Sequence, residues 1–357
     1  MTESQDEVIG FLSRPESYGL HGGTVEKIET HCSIVFLAGE RAYKLKRAIR
    51  YSALDYTTLA RRQAACAAEL VLNRRTAPEI YLGVSTICRA PGGGMMFNGP
   101  GPVLEPVVAM RRFAQTMLFD HLLEHGRLTP ALMQALGRAI ARLHNGAERT
   151  PQFGGSAAMR RVIADNAREL AHVASALDGA DASALTSRTA AALEDVAELL
   201  DRRRAEGKVR RGHGDLRLAN ICLWSGVPTP FDAIEFSDEI GCIDVLYDLA
   251  FLLMDLLVHG RADLANAAFD AYLDVAPETD GLRALPLFLA LRAGTRAYAL
   301  AGSAARQADP AQAARKMALA RLHIAAGLGF LAPHWRGLTR INAEMQRKEL
   351  ESPHSKG

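Results

Sequence analysis

Three acidic or amide side chains in one polar stretch are able to do chemistry together. The stretch reads His213-Gly214-Asp215-Leu216-Arg217-Leu218-Ala219-Asn220, and Pro230-Phe231-Asp232-Ala233-Ile234-Glu235-Phe236 follows it. Asp215 is a carboxylate suited to orient a hydroxyl and take up its proton. Asn220 and Asp232 offer one amide oxygen and one carboxylate. That sparse set of hard oxygens suits magnesium, which keeps waters and phosphates for its other positions. The pattern points to transfer of a phosphoryl group, whose developing charge cations must neutralise. A polar loop capped by Asp215, with Asn220 in a turn, is the plain structural alternative. It leaves the spacing of the three groups unexplained.

Such groups need a scaffold and a phosphate-binding cation. Residues 25–29, 34–37 and 42–49 read as short strands, with Gly39-Glu40-Arg41 the clearest turn. A helical pattern rich in alanine, leucine and arginine runs over 57–75 and stops near Pro78. Strand-like runs over 80–88 and 103–110 flank Pro91-Gly92-Gly93-Gly94. That run is a hairpin turn and not a phosphate loop, because no helix and no Lys-Ser/Thr pair follows it. Beyond Phe113, apolar residues recur at helical spacing over 116–124, 130–144, 157–177 and 185–205. After the polar stretch they resume over 245–259, 283–303 and 311–328. The expected fold class is α+β, with a small antiparallel sheet carrying one helix and a larger, mainly helical part. The expected division is a nucleotide-binding sheet lobe over 1–108, a helical lobe with catalytic loop and acceptor pocket over 109–345, and a disordered tail over 346–357.

The His-x-Asp-Leu-x-x-x-Asn pattern resembles the catalytic loop of protein kinases, with Gly214 in place of arginine. The chain as a whole is similar to the aminoglycoside phosphotransferase and choline-kinase branch of the protein-kinase-like superfamily. More narrowly, it resembles the bacterial aminoglycoside phosphotransferase family proteins that are sometimes fused to a P-loop ATPase. The resemblance takes in Thr30-His31-x-Ser33, Ala42-Tyr43-Lys44-Leu45-Lys46, Glu69 with Asn73, Met110-Arg111-Arg112-Phe113, the polar stretch, and Asp244 with Asp248. No Walker A pattern is present, so the chain looks like the stand-alone kinase half. The resemblance implies a bilobal kinase-like fold and an ATP- and magnesium-dependent phosphotransferase. Its acceptor would be a hydroxyl of a small molecule.

Several residues acquire expected roles from it. Lys44, fixed by Glu69, would hold the nucleotide phosphates. The Ala-x-Lys match selects Lys44, and Lys46, on the same side of the strand, is the alternative. Thr30 and Ser33 would cover the phosphates where kinases use a glycine-rich flap. Met110, at the end of a hinge beginning near Glu105, would line the adenine pocket. His213 and Asp248 would brace the catalytic loop, and Asp244 would do so or cap a helix. Glu235 is a second-tier candidate for a metal or substrate cation. Arg292 and Arg296, one turn apart on one helix, would suit an anionic substrate or else lie on a solvated face. Gly214 and the lack of an activation loop favour a small-molecule acceptor over a protein. Two rivals remain: a non-catalytic nucleotide-binding module, and transfer of the nucleotide moiety instead of phosphate.

Bulk properties are consistent with this. Forty-two basic against forty acidic residues leave a formal charge of +2, without the footprint of a nucleic-acid or anionic-membrane binder. The runs Arg202–Arg204 and Arg210–Arg211 read as solvated faces. Five scattered cysteines suggest neither zinc nor a disulfide framework and fit a reducing cytoplasm. No signal peptide or spanning segment is read, since Asp248 and Asp255 interrupt the most apolar run. The oligomeric state is not legible.

Overall fold

The structure is a computed structural model that describes residues 4–51, 53–177, 179–333 and 335–339. The tail expected over 346–357 lies outside the described residues. The chain divides into two compact units. One comprises 1–121 with 220–238, the other 122–219 with 239–357.

The first unit is built on a six-stranded antiparallel sheet. Its spatial order is Glu26–Glu29, Ser33–Ala38, Arg41–Lys46, Val103–Arg111, Tyr81–Arg89 and Met95–Phe97. Alternation sorts the strand residues onto two faces. Tyr43 and Leu45 join Phe36, Val107 and Ala109 under the short helix Asp6–Leu12. Ala42 points the other way and packs with Val108, Met110, Tyr81 and Cys66. Cys66 lies on the helix Leu59–Asn73, so this helix covers the face that also carries Lys44 and Lys46. Thr58 caps the helix by accepting from the Arg61 amide at 3.3 Å. Arg62, fully buried, ties the helix to the sheet through a forked pair with Glu105 at 2.8 and 2.6 Å. The hairpin Ile221–Trp224 and Val227–Pro230 adds Cys222 to the same core cluster.

The second unit is helical. Its helices are Pro130–Gly146, Gly155–His172, Gly179–Ala205, Val245–Val258, Ala262–Leu273, Leu285–Ala305 and Pro310–Phe330. Thr129-Pro130 and Asp309-Pro310 start two of them with a capping side chain followed by proline, whose missing N–H costs nothing there. The Val245–Val258 helix is buried along almost its whole length. Among the described residues no helix is long and apolar enough to cross a membrane. A short ladder, Val209–Arg211 against Cys242–Asp244, frames the polar stretch between them.

One expectation fails at the start of that ladder. Arg203 does not lie on a solvated face. It is fully buried and holds Asp244 at 2.8 and 2.9 Å, Glu278 at 3.0 Å and Asp280 at 3.2 Å. The periodicity of a basic run cannot show that three carboxylates from distant segments surround its middle member. Asp244 also accepts from the Leu246 amide at 2.8 Å, and so caps the buried helix.

Candidate active site

In the sheet unit, five charged side chains meet in one network. The Lys44 Nζ donates to Glu69 Oε1 at 2.8 Å and to Asp232 Oδ1 at 2.5 Å. Lys46 contacts the other oxygen of Glu69 and also Glu235. Glu69 thus bridges both lysines from the helix behind them. Burial alone would disfavour the charges, but Asp232 and Glu69 outweigh it and hold the Lys44 ammonium well above the ordinary lysine range. Burial likewise opposes ionisation of Glu69, and the two lysines reverse it, holding the carboxyl below its usual value. The lysines differ in access. The Lys46 side chain is 2% exposed and the Lys44 side chain 12%. Lys46 also lies 5.3 Å from the Tyr56 ring centre, and the Tyr56 hydroxyl donates to Glu235.

Asp232 stands in a conformation that non-glycine residues seldom adopt, with φ of 64°. Its neighbours over-determine that geometry. The Asp232 amide donates to the Tyr81 hydroxyl at 3.2 Å, and the Ala233 amide donates to Asn73 Oδ1 at 2.8 Å. Asn73 Nδ2 in turn donates to the Glu69 carbonyl at 2.9 Å. The carboxylate of Asp232 remains 41% exposed. Asn220 is 4% exposed, and its carbonyl accepts from the Phe231 amide at 2.9 Å, which joins the two candidate metal ligands through the backbone. Among the described residues no three His, Cys, Asp or Glu side chains gather as a metal cage. One amide oxygen and one carboxylate, from Asn220 and Asp232, are the kind of donors magnesium takes in small number, and a cation, the Lys44 ammonium, already sits against the Asp232 carboxylate.

In the helical unit, Asp215 sits in a loop held from one helix. Asp248 Oδ2 accepts from the His213 amide at 2.6 Å and its Oδ1 from the Gly214 amide at 2.9 Å. Two turns further on, Asp255 accepts from the Leu218 amide at 3.1 Å. Two acids on one apolar helix thus bracket Asp215 on both sides. Asp248 is fully buried, which by itself would raise its pKa. The hydrogen bond and charge of His144, with His213 and Arg292, override that and leave the carboxyl far below its usual value. His144 Nε2 donates to Asp248 at 3.1 Å, and its Nδ1 meets the Tyr272 hydroxyl at 2.9 Å. Gly214 has φ of 84°, where glycine is favoured, and a Cβ on Gly212 would come within 2.3 Å of Asp248. Asp215 itself accepts from Arg217 Nε at 3.1 Å.

Other expected residues are placed as follows. The Thr30 hydroxyl donates to the Ser33 carbonyl at 2.9 Å and accepts from the Ser33 amide at 3.0 Å, closing the turn between the first two strands. His31 stacks on Tyr51 at 4.1 Å. Met110 is 8% exposed within the core cluster. Arg292 is 4% exposed, not on a solvated face. Tyr81, His144, Tyr272 and Asp255 were not singled out from sequence. Only Asp255 left a signal there, as a second lone acid on the face of Asp248.

The chain matches the sequence model of the phosphotransferase enzyme family over residues 97–285. It is 32% identical over 273 residues to uncharacterized proteins of Mycobacterium tuberculosis and Mycobacterium bovis, covering 75% of this chain and 53% of theirs. The chain therefore spans about half the length of the curated relatives it matches. Among solved structures, it is similar to a thermostable aminoglycoside phosphotransferase mutant in ternary complex with AMP-PNP and hygromycin B. That TM-score is 0.51 at 15% identity, over 92% of this chain and 100% of the other. An amicoumacin kinase in complex with AMP-PNP, Ca2+ and Ami gives a TM-score of 0.50 at 14% identity, over 91% and 94%. These likenesses establish a kinase-like α+β fold.

Proposed function

Because the chain belongs to the phosphotransferase enzyme family, we propose that it transfers the γ-phosphoryl group of ATP, with magnesium, to a hydroxyl of a small molecule. The observation that carries this reading is the Lys44–Glu69–Asp232 network. Three residues far apart in sequence, each named for a role in nucleotide handling, meet within hydrogen-bonding distance. The AMP-PNP bound in the two similar structures supports ATP as donor.

In this reading Lys44 turns from Asp232 to the α- and β-phosphates while Glu69 keeps it oriented. Lys46 is the less accessible of the two and stays with Glu69 and Glu235. Thr30, Ser33 and the backbone of their turn face the phosphates, and Met110 stands beside the adenine. Asn220 and Asp232 would hold the magnesium ion, which supplies positive charge against the phosphate oxygens when bound. Asp215 accepts a hydrogen bond from the acceptor hydroxyl. That oxygen forms a bond to the γ-phosphorus as the bond to the leaving ADP oxygen breaks, and the proton passes to Asp215. Asp248, Asp255 and His213 keep the loop in place. Positioning of this kind is most of what such a site contributes, since phosphoryl transfer demands little covalent chemistry from the protein.

The test is ADP release from ATP and magnesium in the presence of metabolite fractions, with Asp215→Ala alongside. Acceptor-dependent ADP formation that disappears in Asp215→Ala is expected. Failure to bind ATP under any metal condition would refute the proposal. The product's mass separates a gain of phosphate from a gain of nucleotide monophosphate.

A further inference from the structure

The helical unit holds a second polar cluster near Asp215, and its interpretation rests on the phosphotransferase reading above. Arg292 and Arg296 lie one turn apart on the Leu285–Ala305 helix. Arg292 is anchored: its Nε donates to the Tyr247 carbonyl at 3.1 Å and its Nη1 to the Gly214 carbonyl at 3.3 Å. Its guanidinium lies over the rings of Tyr247 and Phe251, at 3.9 and 4.6 Å. The remaining Nη2 is buried without a hydrogen-bond partner. The Nε of Arg296 is in the same condition. So is Nε2 of His323, a residue 1% exposed on the Pro310–Phe330 helix whose Nδ1 meets the Leu319 carbonyl at 2.7 Å. Buried polar atoms in folded proteins nearly always have partners, so three in one neighbourhood need a reason.

The neighbourhood sets three guanidinium groups among the carboxylates of Asp215, Asp248 and Asp255, and it leads to Asp215. Burial, reinforced by the charge of Arg217, pulls the Arg296 pKa below the ordinary arginine value, while Asp255 and Asp215 act the other way. Burial first, and Arg296 among its neighbours, also lowers the pKa of His323. Arg217 pairs with Asp215 at 3.1 Å, and each of these two side chains keeps 25% exposure. A solvent-accessible carboxylate thus feels the charge of Arg296, whose Nε is unpartnered as Arg292 Nη2 is. Guanidinium forks match oxyanions, and their charge is permanent.

We infer that Arg292 and Arg296 form the anion-holding end of the acceptor site, so that the molecule phosphorylated is an alcohol bearing a carboxylate or phosphate group. Arg292 fixes the Gly214 carbonyl and offers the two N–H donors of its Nη2. Arg296 supplies the second guanidinium, and His323 Nε2 accepts from a hydroxyl of the same ligand. The acceptor hydroxyl then lies toward Asp215.

Matched alcohols that differ in charge test this on the full chain. Glycerate and glycerol 3-phosphate, with wider sets of hydroxy acids and sugar phosphates, are compared with glycerol, ethanolamine, and neutral and amino sugars. Binding is followed by calorimetry, ADP release is measured for each binder, and ATP binding is measured on the same samples. Members of the anionic set are expected to bind about tenfold tighter, or better, than their neutral counterparts. Arg296→Gln should remove that preference without shifting ATP affinity. Arg296→Lys, which keeps the charge and loses the fork, should retain part of it and guards against misfolding of the first variant. The carboxylate and phosphate arms identify which oxyanion is held. Equal or tighter binding of neutral or amino compounds, or an anion preference that survives in Arg296→Gln, would overturn the inference. Loss of ATP binding with an intact, Arg296-dependent anion preference would strike at phosphotransfer and leave the anion site standing.

Discussion

Lys44 and Lys46 are separated by a single residue and share Glu69, yet substitution should affect them differently. Lys44 is the more accessible, and its partner Asp232 is 41% exposed, so solvent can compensate much of a lost pair. Lys44→Met should raise the KM for ATP on the order of tenfold to a hundredfold, as loss of a charge-assisted contact to phosphate does, with little change in unfolding midpoint. Lys46→Met removes a cation from between two carboxylates whose side chains are 0% and 4% exposed. An uncompensated buried charge costs about 3–5 kcal/mol. Denaturant unfolding should therefore register a large loss in Lys46→Met, and Glu235→Gln in the same background should recover part of it. The opposite ranking, with Lys46→Met raising KM alone, would exchange the roles of the two lysines. The sequence pattern selected Lys44 by an Ala-x-Lys match, and alternation placed both lysines on one face. It could not assign Glu235 to Lys46, because that pairing closes a loop of the chain far longer than any local pattern reaches. Tyr81 and Asn73 hold the unusual backbone of Asp232 by the same kind of long-range contact.

At the scale of elements, the Val245–Val258 helix acts as a rigid ruler for the loop that carries Asp215. Its two acids lie seven residues apart and share a face, so they meet two backbone segments on either side of Asp215. Asp248→Asn keeps the shape but leaves one oxygen for the two amides that Asp248 now accepts from. A displaced loop should lower kcat about a hundredfold, with the KM for ATP nearly unchanged. The same residue predicts a dependence on acid. Its folded pKa lies below the unfolded value, so its contribution to stability is present above about pH 4 and is lost as pH falls through the folded pKa. Unfolding midpoints of the wild type should drop below about pH 4, and Asp248→Asn should flatten that limb. An unchanged acid limb would show that other carboxylates dominate it. Gly214 belongs to the same device. Its positive φ explains why glycine stands where protein kinases carry arginine, and Gly214→Ala should cost roughly 1–2 kcal/mol, measured by the same unfolding curves. Helical periodicity made the element legible. The lone acid Asp248 was legible as a brace because burying a charge without partners is costly. The partners His144 and Tyr272 were not, since a histidine or tyrosine on a helix face is ordinary core material until its neighbour is known.

For the whole molecule, the antiparallel sheet, the helix Leu59–Asn73 and the larger helical part were readable from hydrophobic period, whereas the short helix Asp6–Leu12 on the sheet's other face was not. Period reports which face of an element is buried, and not what buries it. That is why the membership of 220–238 with the sheet unit, and the burial of Arg203 among Asp244, Glu278 and Asp280, appear only in three dimensions. A ligand that binds only the folded chain stabilises it by mass action, about 2.7 kcal/mol at a hundred times its Kd. Magnesium and ATP together should therefore raise the melting temperature by several degrees. ATP with a chelator should give a smaller rise, because the ion proposed to lie between Asn220, Asp232 and the phosphates is then withdrawn. Asp232→Asn should remove the magnesium-dependent part and leave the metal-free part, whereas Lys44→Met should reduce both. Asp215→Ala should keep the full shift while abolishing turnover, because in the proposed mechanism its carboxylate addresses the acceptor and not the nucleotide. A rise that is equal with and without magnesium would take Asn220 and Asp232 out of the metal site. A shift lost in Asp215→Ala would mean that this carboxylate contributes to nucleotide binding, and its assignment to the acceptor hydroxyl would have to be withdrawn.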